Sequence, residues 1–172
     1  MNITAKKSLP VFASLISLCC GFICILSAID KNYDLAAWLI ILSMIFDSLD
    51  GKLARFTKTD SAFGTQLDSL VDLVVFGVAP IVLVSQLCKE TFPLIIWVMS
   101  FFFLSSSALR LAKFNTKFSQ DKGPCKYFSG LPTTISGGTL AQLVLLHNYL
   151  YEGLGITTVL AVIPSVVFVL SI

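Results

Sequence analysis

Apolar and polar positions alternate along this chain in long blocks. Residues 9–29 form an uncharged run of 21 residues, preceded by Lys6 and Lys7 and followed by a short polar turn at 30–34. A run of that length can cross the hydrocarbon core of a bilayer as a helix. It is too long for a signal-peptide core, and no Ala-x-Ala site follows it. Ala13, Ser17 and Gly21 recur at four-residue spacing along it, a face suited to close helix packing. A second helix is expected over about 35–56. From Leu35 to Phe46 its one polar residue is Ser43, and it then becomes charged. The pattern predicts a third helix over about 62–87 and a fourth from Pro93 to about Asn115. A fifth follows over about 131–150, and a sixth apolar run fills 154–172. Polar turns at 57–62, 88–92, 116–129 and 151–153 separate them. Pro93 suits the first turn of a helix. Asn115 stands where it could cap the fourth helix or reach a substrate. The expected fold is all-α, a polytopic membrane bundle of six transmembrane helices forming a single domain over 1–172.

Composition agrees with that class. The chain is 56% hydrophobic and 13% charged, about half the charge of a soluble domain. A net charge of +2 leaves no footprint for nucleic acid. Cys19, Cys20, Cys24, Cys88 and Cys125 form no Cys-x2-Cys pair, so neither a zinc site nor a disulfide framework is expected. The three in the first span read as small buried hydrophobes. Six alternating helices would place Lys6, Lys7, Lys52, Arg55, Lys58, Arg110, Lys113, Lys117, Lys122 and Lys126 at one set of ends. Only Lys31 and Lys89 fall at the other. The positive-inside rule makes the first set cytoplasmic.

The chemistry is concentrated between Asp47 and Asp72. Asp47, Asp50, Gly51 and Ala54 fall at i, i+3, i+4 and i+7 of the second helix. Gly64, Asp68 and Asp72 fall at i, i+4 and i+8 of the third. Each set lies on one helical face. The short turn between the helices makes them antiparallel neighbours, with Asp47 and Asp72 as a deeper pair and Asp50 and Asp68 as a shallower one. Carboxylates at membrane depth are costly and mark function. Four facing one another cannot all stay ionised without cations. Oxygen ligands select hard dications such as Mg²⁺, Mn²⁺ or Ca²⁺ over zinc. Four carboxylates suit two ions, an arrangement fitted to in-line phosphoryl transfer. Gly51, Ala54 and Gly64 either clear space for a ligand beside the carboxylates or allow tight helix packing.

The spacing Asp-x2-Asp-Gly-x2-Ala-Arg-x8-Gly-x3-Asp-x3-Asp, carried here by Asp47, Asp50, Gly51, Ala54, Arg55, Gly64, Asp68 and Asp72, resembles the signature of the CDP-alcohol phosphotransferases. That resemblance implies an integral membrane enzyme with six transmembrane helices, commonly a homodimer, that displaces CMP from a CDP-linked lipid with an alcohol. It implies two divalent cations, Mg²⁺ or Mn²⁺, on Asp47, Asp50, Asp68 and Asp72. Asp72 would double as general base, and Asp50, Gly51, Ala54 and Gly64 would line the nucleotide.

Three further stretches resemble the bacterial phosphatidylserine synthases. These are Leu9-Pro10 with Cys20-Gly21-Phe22, the run from Arg110 to Asn115 (Arg-Leu-Ala-Lys-Phe-Asn), and Phe128-Ser129-Gly130-Leu131-Pro132. Val11, Ser14, Ser17, Thr133 and Thr134 depart from the residues common there. The implied substrates are CDP-diacylglycerol and L-serine, at a site on the cytoplasmic face of the cell's inner membrane. Arg55, Arg110 and Asn115 are the candidates for holding substrate or phosphate. A guanidinium binds the serine carboxylate or a phosphodiester bidentately, although Arg110 also reads as a snorkelling interface anchor.

Glycerol 3-phosphate and inositol phosphate are the alternative acceptors within the family. A cation transporter could also set carboxylates between helices, but the first, fifth and sixth spans contribute no acids to a pathway. His147 reads as an interface residue, and Phe101-Phe102-Phe103 as lipid-facing or packing. The last apolar run has no polar flank after it, whereas relatives carry a further tail, so truncation at the C-terminus is expected.

Overall fold

The computed structural model describes residues 3–57, 62–88, 93–120 and 133–154, with side chains described over 11–49, 63–88, 94–113, 115–116 and 133–149. Every described element is helical. The order is α1 (Ile3–Ile29), α2 (Tyr33–Thr57), α3 (Ala62–Asp72), a π-helical segment (Leu73–Val78), α4 (Ala79–Leu87), α5 (Pro93–Gln120) and α6 (Thr133–Leu154). Backbone at both ends of the π segment is right-handed helical, so α3, the π segment and α4 make one rod. Among the described residues, three helices are long and apolar enough to cross a membrane: 11–29 in α1, 63–87 in the α3–α4 rod and 94–113 in α5.

The boundaries correct the expectations at several points. Helix α1 begins at Ile3, well before the apolar run. The turn after it is shorter than 30–34. Lys31 takes a left-handed φ of 62°, and the Asn32 amide donates back to the Ser27 carbonyl at 2.9 Å, closing the helix as such turns commonly do. Asn32 then caps α2, its Oδ1 accepting from the Leu35 amide at 3.4 Å. Helix α5 continues to Gln120, so Asn115 is not its C-cap and the loop expected from residue 116 starts later. Helix α6 runs through the turn expected at 151–153, to Leu154. The sixth apolar run lies outside the described residues.

Small residues let the helices approach. Along α1, Ser14, Ser17, Cys20, Gly21, Cys24, Ser27 and Ala28 are buried, and α1 packs most extensively against α2. Between them Ser17 Oγ donates to the Ser43 carbonyl at 3.4 Å. The Ser43 hydroxyl lies 2.9 Å from the Leu39 carbonyl and 3.3 Å from that of Ser17. Cys19, read as buried, is exposed.

The π segment sits in the middle of the bundle, with Val75, Phe76 and Gly77 buried. Three helices meet it through positions with little room. A Cβ on Gly21 of α1 would lie 2.7 Å from Val75 Cγ2. One on Gly137 of α6 would lie 2.7 Å from the Phe76 carbonyl oxygen and 2.9 Å from its Cα. One on Gly77 would lie 3.4 Å from Leu104 Cδ1 of α5.

The end of the bundle where α2 begins is tied by polar contacts. Tyr33 donates its hydroxyl to the Gln86 carbonyl at 3.3 Å. Asn148 of α6 donates to Asp34 Oδ1 at 2.9 Å. Asp47 lies thirteen residues along α2 from Asp34, roughly 20 Å away at 1.5 Å per residue. The carboxylates therefore belong to the opposite half of the bundle. Helix α5 packs chiefly on the π segment and α4. Its outer face leaves Trp97, Phe101 and Leu109 about two-thirds or more exposed, while Phe103 is buried.

Candidate active site

Two elements bring the acids together. Helix α2 supplies Asp47, and α3 supplies Asp68 and Asp72 one turn apart. Each offers one carboxylate oxygen, and these oxygens all lie within 4.8 Å of one another. All three side chains are half-buried, and Asp72 Oδ1 is fully covered. The Asp47 and Asp72 carboxyls are close enough to hydrogen-bond. Asp47 lies on α2 and Asp72 ends α3, the two helices that flank residues 58–61 in sequence.

The electrostatics decide what such a cluster needs. Two unit charges at 4.8 Å repel by about 3.5 kcal/mol at an effective dielectric of about 20. Three such pairs total roughly 10 kcal/mol, comparable with the whole folding free energy of a typical domain. The cluster must share protons or hold cations. Its donor set fits a hard dication. All three ligands are oxygens, and two ligands at about 2.0–2.6 Å from one ion lie at most about 5 Å apart. Asp50 lies one turn beyond Asp47 on α2; its side chain, with those of Gly51, Ala54 and Arg55, lies outside the described residues. Gly64 is half-buried in the first turn of α3.

Helix α5 forms the next wall. Ser69 donates to Asn115 Oδ1 at 3.0 Å. Eight residues further along the α3–α4 rod, Gly77 faces Ser107, eight residues back along α5. The two elements thus run antiparallel in a defined register that sets Arg110 close to the level of Asp72. Arg110 and Asn115 are both half-buried. His147 is half-buried near the far end of α6, away from this cluster.

Sequence reasoning missed two features. Ser69 carries the contact to Asn115, and its position between Asp68 and Asp72 was the available signal. The π segment begins at the residue after Asp72. Such segments are rare and frequent at functional sites. Nothing in Leu-Val-Val-Phe-Gly-Val distinguishes it from an ordinary apolar helix.

A family model for CDP-alcohol phosphatidyltransferases matches residues 7–170. The chain belongs to that family. Among its curated relatives, the CDP-diacylglycerol–serine O-phosphatidyltransferase of Helicobacter pylori strain J99 is 36% identical over 132 residues, covering 77% of this chain and 55% of the relative. The archaetidylserine synthase of Methanothermobacter thermautotrophicus is 34% identical over 150 residues, covering 86% of this chain and 62% of the relative. The Saccharomyces cerevisiae CDP-diacylglycerol–serine O-phosphatidyltransferase is 43% identical over 102 residues, 56% of this chain and 36% of the relative. The chain thus spans about half the length of the curated relatives it matches. For this family member the carboxylate cluster is the natural place for the divalent cation that the family's chemistry uses.

Proposed function

We propose that this protein transfers a phosphatidyl group from CDP-diacylglycerol to L-serine, giving phosphatidylserine and CMP. The observation that carries the reading is the convergence of Asp47, Asp68 and Asp72 oxygens within 4.8 Å, where α2 meets a helix long and apolar enough to cross a membrane. The relatives' names supply the acceptor. Asp47, Asp50, Asp68 and Asp72 would hold two ions, Mg²⁺ or Mn²⁺. Bound there, such ions neutralise the diphosphate and stabilise the departing CMP.

The protein's own residues do the rest. Gly51, Ala54 and Gly64 leave room for the cytidine against the helix backbones, and Asp50 and Arg55 flank it. Arg110 and Asn115 hold the anionic part of the acceptor. Asp72 accepts the proton of the serine hydroxyl. The hydroxyl oxygen bonds to the lipid-side phosphorus as the bond from that phosphorus to the CMP oxygen breaks, and CMP leaves with the electron pair. The acyl chains remain in the bilayer throughout.

The same reading places the chain as one domain of six transmembrane helices, with the sixth in 154–172. The site would face the cytoplasm at the cell's inner membrane, and the protein would act as a homodimer. The exposed outer face of α5 offers apolar surface for lipid or for a second copy. An acceptor panel tests the function. Purified protein in mixed micelles with CDP-diacylglycerol and Mn²⁺ is given L-serine, glycerol 3-phosphate or inositol phosphate one at a time. Serine-dependent CMP release supports the reading. Release with a phosphorylated alcohol alone replaces the acceptor, and release with none rejects the transferase reading.

A further inference from the structure

Ser69 stands on α3 between two of the carboxylates but off their face. Its Oγ lies 3.0 Å from the Thr65 carbonyl and 3.0 Å from Asn115 Oδ1 on α5. A helical serine ordinarily returns its proton to the i−4 carbonyl. Here a second acceptor, 46 residues away in sequence, competes for it, so the hydroxyl bridges the metal-binding helix to the acceptor wall. An asparagine amide has an acceptor edge and a donor edge. With Oδ1 held on the Ser69 hydroxyl, the Nδ2–H₂ edge is turned away from Ser69. A donor edge binds an anion, whereas the reversed amide would present a carbonyl that repels one.

We infer that Ser69 is a positioning residue: its hydroxyl fixes the Asn115 amide so that the Nδ2–H₂ edge receives the anionic group of the acceptor alcohol. That group is the carboxylate of an amino acid or the phosphate of a phospho-alcohol, and the inference rests on the reading of Asn115 as an acceptor-side residue. Ser69 itself touches no reacting atom. Its removal acts on acceptor binding, leaving the lipid nucleotide and the carboxylate cluster unchanged.

The test is steady-state CMP release by the full chain, varying each substrate in turn, with wild type, Ser69→Ala, Ser69→Thr, Asn115→Ala and the Ser69→Ala/Asn115→Ala double variant. Ser69→Ala is expected to raise the KM for the acceptor about five- to thirty-fold, the loss associated with disordering one hydrogen bond to a charged group. Its kcat and its KM for CDP-diacylglycerol should stay within about twofold. Ser69→Thr, which keeps the hydroxyl, should restore the acceptor KM. In the Asn115→Ala background, Ser69→Ala should change nothing further.

An equal rise in the CDP-diacylglycerol KM, no rescue by threonine, or additive effects of the two substitutions overturns the inference. If Ser69→Ala does not fold, Asn115→Asp carries the test. It keeps an oxygen for Ser69 but replaces the donor edge with a negative charge, so its acceptor KM should exceed that of Asn115→Ala; a smaller or equal value overturns the inference. Wild-type turnover separates the two claims. If a phospho-alcohol is used in place of serine, the same KM shift on that acceptor upholds Ser69's role while the serine reading falls. If no acceptor is used, both fall.

Discussion

Asp47 and Asp72 come from different helices and are separated by the whole α2–α3 connection, yet their carboxylate oxygens lie within 4.8 Å of each other, with an oxygen of Asp68 equally near. Two like charges do not approach so closely in a half-buried setting without something between them. Substituting Asp72 with Asn is therefore expected to separate stability from activity. Removing one of three repelling charges leaves the thermal midpoint in detergent unchanged or raises it. If Asp72 is the general base, its loss should lower kcat by about 10²–10⁴. A drop in midpoint together with an unchanged kcat contradicts this assignment.

The donor set makes a second prediction about ions. A cation bound only by the folded bundle stabilises it by mass action, by about 2.7 kcal/mol at a hundredfold excess over Kd. Mn²⁺ should raise the thermal midpoint of the wild type, and EDTA should reverse it. Asp47→Asn or Asp68→Asn should shift the Mn²⁺ midpoint at least about tenfold higher, as loss of a direct ligand does more than the 10–100-fold cost of losing its outer partner. An identical Mn²⁺ titration in wild type and both variants removes the cluster from consideration as a metal site.

Arg110 lies close to the level of Asp72 in the α5 register. If its fork holds the acceptor's anionic group bidentately, a lysine cannot replace it, because an ammonium is a point charge. Arg110→Lys should raise the KM for serine about tenfold or more, the cost of a charge-assisted pair. The KM for CDP-diacylglycerol should hold. Full activity in Arg110→Lys would reduce this residue to an interface anchor.

Two adjacent glycines of α6 give a packing test. A Cβ on Gly137 meets the Phe76 carbonyl oxygen at 2.7 Å and its Cα at 2.9 Å, which is backbone and cannot swing aside. A Cβ on Gly138 meets the end of the Met44 side chain at 3.0 Å, and methionine adapts. Gly137→Ala should cost about 1–3 kcal/mol, as overpacking does, while Gly138→Ala should cost well under 1 kcal/mol by the same comparison. Thermal unfolding of the two variants in one detergent measures the difference. Equal midpoints would mean that α6 does not grip the π segment as tightly as the spacing indicates.

The sequence made some levels of this structure easy to read and hid others. Helix positions followed from blocks of apolar residues, and the facing of Asp47, Asp68 and Asp72 followed from their spacing, because helical periodicity and a short turn leave little freedom. Helix ends were less legible. Thr116, Lys117 and Ser119 look like loop, yet α5 continues through them to Gln120, since solvated polar residues sustain a helix as well as end one. The same ambiguity left a cap as one of two readings of Asn115, which the length of α5 rules out. The π segment left no trace, because one extra residue per turn changes which side chains face inward without changing composition. Ser69 was overlooked because its partner is on another helix, and helix register is not written in either helix alone.

The most direct test of the central claim is CMP release from CDP-diacylglycerol by the purified chain, with L-serine and Mn²⁺ each present or omitted, in wild type and Asp72→Asn. Release should require both serine and the divalent cation and be lost in Asp72→Asn. Release that persists without the cation, or at the wild-type rate in Asp72→Asn, contradicts it.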